Sequence, residues 1–213
     1  MLDHLTRHLI AKPLYFLAYT ISKHTKITPN QTTIFGFFLG LLSIYNTSIG
    51  NFQISLIFII FNRIFDGLDG ALARVQKKNS DFGGFIDILC DFVVYGGSVF
   101  GFAVFDREKF AFPAAFLLFS YVGPVSSFLL YAILETKNKA IKRTKDINQT
   151  INTKQGVKSF YYLSGICEGT ETIIVMVMML LWPDYMPKIA YFYGVLCWLT
   201  TVGRTYGCYV DFG

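Results

Sequence analysis

Residues 66–91 read DGLDGALARVQKKNSDFGGFIDILCD and place four carboxylates, Asp66, Asp69, Asp87 and Asp91, inside otherwise apolar surroundings. The flanks are FQISLIFIIFNRIF over 52–65 and FVVYGGSVFGFAVF over 92–105. Asp66 and Asp69 are spaced i, i+3, with Arg74 at i+8 from Asp66, so on a helix all three share a face. Asp87 and Asp91 are one turn apart, and Gly83 lies a turn before them. Lys77-Lys78-Asn79-Ser80 between the two groups reads as a short polar turn. The two helices are therefore antiparallel neighbours, and their four carboxylates converge at a similar depth.

The rest of the chain shows what those carboxylates are embedded in. Of 213 residues, 53% are hydrophobic, 17% aromatic and only 15% charged. A soluble domain carries about 25% charged residues, so the expected fold is an all-α integral membrane protein. Spanning helices need about 20 mostly apolar residues, and six segments qualify: 31–49, 52–75, 83–105, 110–134, 160–182 and 189–210. The organisation expected is an arm over 1–27 followed by a six-helix transmembrane catalytic domain over 28–213. In the arm, Leu2, Leu5, Leu9, Leu14, Leu17, Ala18 and Ile21 recur at helical spacing with basic residues opposite. That pattern suits an amphipathic helix lying at the membrane interface or one packed on the bundle as a cap.

Thirteen Lys and Arg residues fall on the side that receives the arm and the 76–80 and 136–159 loops, against three on the other. The positive-inside rule then puts both termini, and the acidic cluster, on the cytoplasmic side of a multi-pass membrane protein. The net charge of +5 fits basic loops at a membrane surface better than nucleic acid, so no nucleic-acid partner is expected. Cys90, Cys167, Cys197 and Cys208 all lie in apolar runs without metal-ligand spacing and read as small packing residues.

A charge in hydrocarbon costs about 2.5–3.5 kcal/mol even on the lenient scale. Four carboxylates cannot stay ionised together without cations, and Arg74 offsets one at most. Hard divalent ions with oxygen ligands are the natural answer, and two such ions bridging a pyrophosphate make a known catalytic arrangement. Gly70, Gly83 and Gly84 would let a nucleotide or a second backbone come close. The bland alternative is a structural polar network within the bundle.

The pattern D-x2-D-G-x2-A-R-x8-G-x3-D-x3-D resembles the signature of the CDP-alcohol phosphotransferases (CDP-alcohol phosphatidyltransferases) at all eight fixed positions. The arm, the six spans and Thr28-Pro29-Asn30 before the first span resemble that family's layout too. The resemblance implies a membrane transferase, usually a homodimer, in a bacterial inner membrane. It would bind two Mg2+ or Mn2+ ions through Asp66, Asp69, Asp87 and Asp91. Asp66, Gly70, Ala73, Arg74 and Gly83 would contact the CDP portion of the donor. Asp91 would take the proton from the incoming hydroxyl, whose oxygen attacks the β-phosphorus and releases CMP. The three histidines, His4, His8 and His24, all lie in the arm, away from the spans.

Glu168 and Glu171, spaced i, i+3 in YYLSGICEGTETII, form a second cluster with Arg204 of the last span. Read as a helix from 160, Glu168 lies about 12 Å in, close to the depth of Asp91. The three residues would line an acceptor pocket, or Arg204 would simply pair with one glutamate. The function expected is phospholipid synthesis: a phosphatidyl group moves from CDP-diacylglycerol to a small polar alcohol. A CDP-aminoalcohol transferase using diacylglycerol as acceptor, and a divalent-cation transporter, are the rival readings.

Overall fold

A computed structural model describes the backbone of residues 3–146 and 167–212 and the side chains of 13–138 and 167–212. Among the described residues the chain is all-helical. Helices run Asp3–His24 (α1), Pro29–Ser48 (α2), Phe52–Val75 (α3), Asp81–Phe105 (α4), Arg107–Asp146 (α5), Gly169–Leu181 (α6) and Met186–Phe212 (α7). A helix stands in each of the six segments expected to span, the start of the fifth (160–166) lying outside the described residues. By length and apolarity alone, α4 and α5 qualify as spans. The α6–α7 pair, where the chain turns by 116°, qualifies jointly. Helix α3 carries Arg63, Asp66, Asp69 and Arg74, the very residues that give it chemistry.

The first turn is locally encoded. Thr28 and Gln31 form a reciprocal capping box, the Thr28 amide donating to Gln31 Oε1 at 2.9 Å, and Pro29 occupies the first helical turn. Between α2 and α3, Gly50 has φ +81, and a Cβ there would also run into the Phe105 ring at 2.3 Å. Ser80 caps α4 by accepting from the Gly83 amide at 3.0 Å.

Helix α2 packs against α3 and α4, α5 against α4 and α7, and α6 against α3, α4 and α7. The buried face of α2 is small and polar: Thr32, Thr33, Gly36, Gly40, Ser43, Asn46 and Thr47. Its exposed face carries Ile34, Phe35, Phe38, Leu41 and Tyr45. Water would penalise that arrangement. Lipid does not, because helices in hydrocarbon associate through close packing of small residues and internal hydrogen bonds. A Cβ on Gly40 would sit 2.5 Å from Val94 Cγ2, which shows how near α4 comes. Cys167 and Cys197 are buried in the main core, and all four cysteines are free, as their setting suggested.

The described part of α1 lies on α3. Leu14, Ala18 and Ile21 pack with Phe65, Leu68, Ala71, Leu72 and Val75. Leu17 does not join them. It is exposed with Tyr15, Phe16 and Tyr19, and Lys23 and His24 are exposed in the last turn of α1. The arm residues 1–12 lie outside the described side chains.

Candidate active site

Helix α3 carries Asp66 and Asp69 in the turns before its C-terminus, and α4 carries Asp87 and Asp91 in its second and third turns. The short 76–80 turn folds the two helices back so that these four carboxylates stand within one another's electrostatic field. Their surroundings differ. Asp69 is buried and accepts a 2.5 Å hydrogen bond from Thr33 Oγ1 of α2. Asp66 is about a third exposed and Asp91 about a quarter. The Oδ1 of Asp87 is buried without a hydrogen-bond partner among the described residues.

The cation held against this group is Arg63, one turn before Asp66 on α3. Its Nη2 donates to Asp91 Oδ1 at 2.7 Å, and its Nη1 lies 3.7 Å from Asp66 Oδ2. Nη1 also donates to Tyr95 Oη at 3.1 Å, and Nε to Asn62 Oδ1 at 2.8 Å. Tyr95 in turn donates to Asp91 Oδ2 at 3.3 Å. Arg74, expected from the sequence to offset one carboxylate, is instead exposed, with Nη1 3.6 Å from where a Cβ on Gly70 would stand. In the sequence Arg63 reads only as a charge within a span. The signal that could have found it is its i, i−3 spacing from Asp66, which puts opposite charges on neighbouring turns of one helix face.

Gly70, Ala73 and Gly83 are half-buried beside this cluster. Gly83 also has a packing role: a Cβ there would meet Asn30 Oδ1 and Ser80 Oγ at 3.1 Å. The missing side chain lets the start of α2 close onto the start of α4.

The second cluster is arranged differently from the expectation. Helix α6 begins at Gly169, so Glu168 is its N-cap, in extended conformation, and Glu171 lies in the first turn. An acid there suits the positive end of the helix dipole. The depth of Glu168 cannot be counted along a helix from residue 160, because 160–166 lie outside the described residues. Arg204 is buried on α7, donates from Nη1 to the Pro124 carbonyl of α5 at 2.9 Å and faces the Phe128 ring. Glu168 lies within its electrostatic reach. The two clusters adjoin, since Tyr95 Oη is 3.7 Å from where a Cβ on Gly169 would stand.

Whether divalent ions fit can be judged from the donors. Every candidate ligand is a carboxylate oxygen, as hard cations require, and Asp87 offers an unpartnered buried one. The set is not closed around one point. Among the described residues no three His, Cys, Asp or Glu side chains are disposed to hold an ion as they stand. Asp91 is turned onto Arg63 and Asp69 onto Thr33. The chemistry of the donors fits a hard cation.

A family model described as CDP-alcohol phosphatidyltransferase matches residues 26–204, most of the chain and all of this site. The chain belongs to that family. Over 208 residues it is 39% identical to the Inner membrane protein YnjF of Escherichia coli, covering 97% of this chain and 96% of that one. It is 38% identical over 98 residues to an archaetidylinositol phosphate synthase of Pyrococcus horikoshii, 46% of this chain and 52% of the relative. Its fold is that of the Mycobacterium tuberculosis phosphatidylinositol phosphate synthase crystallised with CDP-DAG bound. The TM-score is 0.68 at 17% identity, over 91% of this chain and 92% of that one. The chain is thus a CDP-alcohol phosphatidyltransferase in a membrane.

Proposed function

We propose that the protein transfers a phosphatidyl group from CDP-diacylglycerol to the hydroxyl of a small polar alcohol and releases CMP. The observation that carries this reading is the complete set of four carboxylates, drawn together on α3 and α4 and in excess over their one paired cation. The donor assignment is supported by the fold shared with a synthase that binds CDP-DAG. Its two acyl chains suit a site reached from lipid between helices with apolar outer faces.

In this reading Asp66, Gly70, Ala73, Arg74 and Gly83 hold the cytidine diphosphate, with exposed Arg74 free to turn onto it. Asp91 accepts the proton of the acceptor hydroxyl. The oxygen so freed bonds to the β-phosphorus, the bond from that phosphorus to the bridging oxygen breaks, and CMP carries away the electron pair. Two Mg2+ or Mn2+ ions held by Asp66, Asp69, Asp87 and Asp91 would supply Lewis-acid neutralisation of the pyrophosphate charge. Thr33 fixes Asp69, and Tyr95 and Arg63 fix Asp91. Glu168, Glu171 and Arg204 border the acceptor side through Tyr95 and Gly169. Paired glutamates there favour a cationic or polyhydroxyl alcohol. The thirteen basic residues on one side favour a site at the cytoplasmic leaflet of a bacterial inner membrane.

The test is CMP release by purified protein in lipid, given CDP-diacylglycerol, Mg2+ or Mn2+, and a panel of small alcohols. Metal-dependent release stimulated by one alcohol and abolished by Asp91→Asn is the expected result. Turnover of CDP-choline or CDP-ethanolamine with diacylglycerol, but not of CDP-diacylglycerol, would overturn the donor assignment. Metal flux without any CMP release would point to transport instead.

A further inference from the structure

We infer that Arg63 is a resident counter-cation that occupies Asp91 while donor is absent and keeps a divalent ion from engaging that carboxylate. This rests on the metal-dependent reading above and goes beyond it, because it concerns the order in which cations reach the site.

The geometry is that of a fixed cation rather than a wandering side chain. Nε, Nη1 and Nη2 of Arg63 each have a partner: Asn62, Tyr95 and Asp91. The guanidinium also faces the Tyr95 ring at 5.4 Å, and the side chain is only 13% exposed. Asn62 is itself locked, its amide donating to the Gly36 carbonyl at 2.8 Å. Arg63 therefore reaches Asp91 from a scaffold spanning three helices. A guanidinium stays charged at any working pH and binds carboxylate strongly.

The balance of charge sets the order of loading. Four carboxylates against Arg63 leave three negative charges in excess. One divalent ion reduces that to one, on the oxygens of Asp66, Asp69 and Asp87 that Arg63 does not hold. A second would make the cluster positive while standing beside a guanidinium already bonded to Asp91. The diphosphate of the donor brings new negative charge, and only then does a second ion gain more than it loses against Arg63. Arg63 acts here as a positioning residue on Asp91. It makes full metal loading conditional on donor.

The experiment measures Mn2+ binding to detergent-solubilised full-length protein without donor, from the free-Mn2+ electron paramagnetic resonance signal. Arg63→Gln, which removes the charge and keeps a polar side chain, should bind Mn2+ about tenfold more tightly or take up an additional ion, the size of an ordinary coupling between sites. Arg63→Lys, retaining the charge, should stay near wild type. Adding Asp91→Asn to Arg63→Gln should cancel the gain. Tyr95→Phe, which loosens Arg63 without deleting it and spares the helix packing, should tighten Mn2+ by about threefold, so the idea stays testable if Arg63→Gln fails to fold. A merely structural arginine gives the opposite sign, because its loss would misplace Asp91 and weaken Mn2+. Unchanged or weaker binding in folded Arg63→Gln, or in Tyr95→Phe, overturns the inference while leaving the metal-dependent reading standing. Wild-type protein that binds no Mn2+ either without donor or with CDP-diacylglycerol added overturns both.

Discussion

Ser43, Thr47 and Ser55 sit buried between α2 and α3, their hydroxyl oxygens 2.7–2.8 Å apart, with the carbonyls of Ser43 and Ser55 taking up further bonds at 2.9–3.0 Å. About 21 Å further along α3, Asp69 lies at the same interface with Thr33 of α2. Both clusters are polar groups in an apolar bundle. The first is neutral and closed on itself, so it needs nothing from outside. The second carries surplus negative charge, leaves Asp87 Oδ1 without a partner among the described residues, and has one internal cation pulled toward Asp91. Closure marks a cluster that holds helices together; surplus charge marks one that waits for ligands.

Breaking the charged cluster should remove function without removing the fold. Asp91→Asn keeps the shape and an oxygen that can still accept from Arg63, but the amide nitrogen in place of Oδ2 can no longer accept from Tyr95. CMP release should fall by about 10^3-fold, within the usual range for losing a positioned general base. Gel filtration and circular dichroism should be those of wild type. Retained turnover would mean that another group takes the proton.

Thr33→Val addresses a supporting contact instead of a carboxylate. It leaves Asp69 buried without the hydroxyl that donates to it, and CMP release with Mn2+ titration should show a roughly 10- to 100-fold loss of metal affinity. Thr33→Ser should restore most of it. If Val and Ser variants behave alike, Thr33 serves packing, and the charged cluster does not extend to α2.

The same contrast governs how much was legible in the sequence. The carboxylates announce themselves, because an Asp inside an apolar run has few structural excuses, and their i, i+3 and i, i+4 spacing gives the face. The all-helical membrane fold comes from composition and segment length. Arg63 stays hidden because a lone charge within a span names no partner, and which carboxylate it reaches depends on α4 packing, which no periodicity reports. Arg74 shows the converse: it shares a face with Asp66, but its exposed side chain lies back along the helix beside Gly70. The buried face of α2 is equally hidden. Gly36, Gly40, Ser43 and Thr47 form no apolar stripe, and only a lipid solvent makes the small, polar face the inner one. The start of the helix at Gly169, with Glu168 as its N-cap, is equally unmarked in the sequence.

The neutral cluster offers the complementary break. Ser55→Ala removes the hydroxyl that both Ser43 and Thr47 approach. Stability toward heat or denaturing detergent should drop by about 1 kcal/mol, given the modest worth of hydrogen bonds between helices in lipid. CMP release per folded molecule should not change. A loss of turnover at full folding would show that the two clusters communicate along α3 and are not separate devices.

The smallest effect belongs to a third pair at the opposite end of the bundle. Lys109 donates to Asp184 at 2.5 Å, shorter than any contact Arg63 makes, yet the Asp184 side chain is 86% exposed. Solvent and salt screen such a pair, so Lys109→Met should cost no more than about 0.5 kcal/mol, and less at high salt. The Arg63 pair is longer and largely shielded, and its substitution should change what the site binds. Measuring both variants for thermal stability and Mn2+ affinity separates distance from burial as the source of an ion pair's influence. If Lys109→Met proved the more damaging, the surplus charge around Arg63 would have to be compensated by groups other than those it touches.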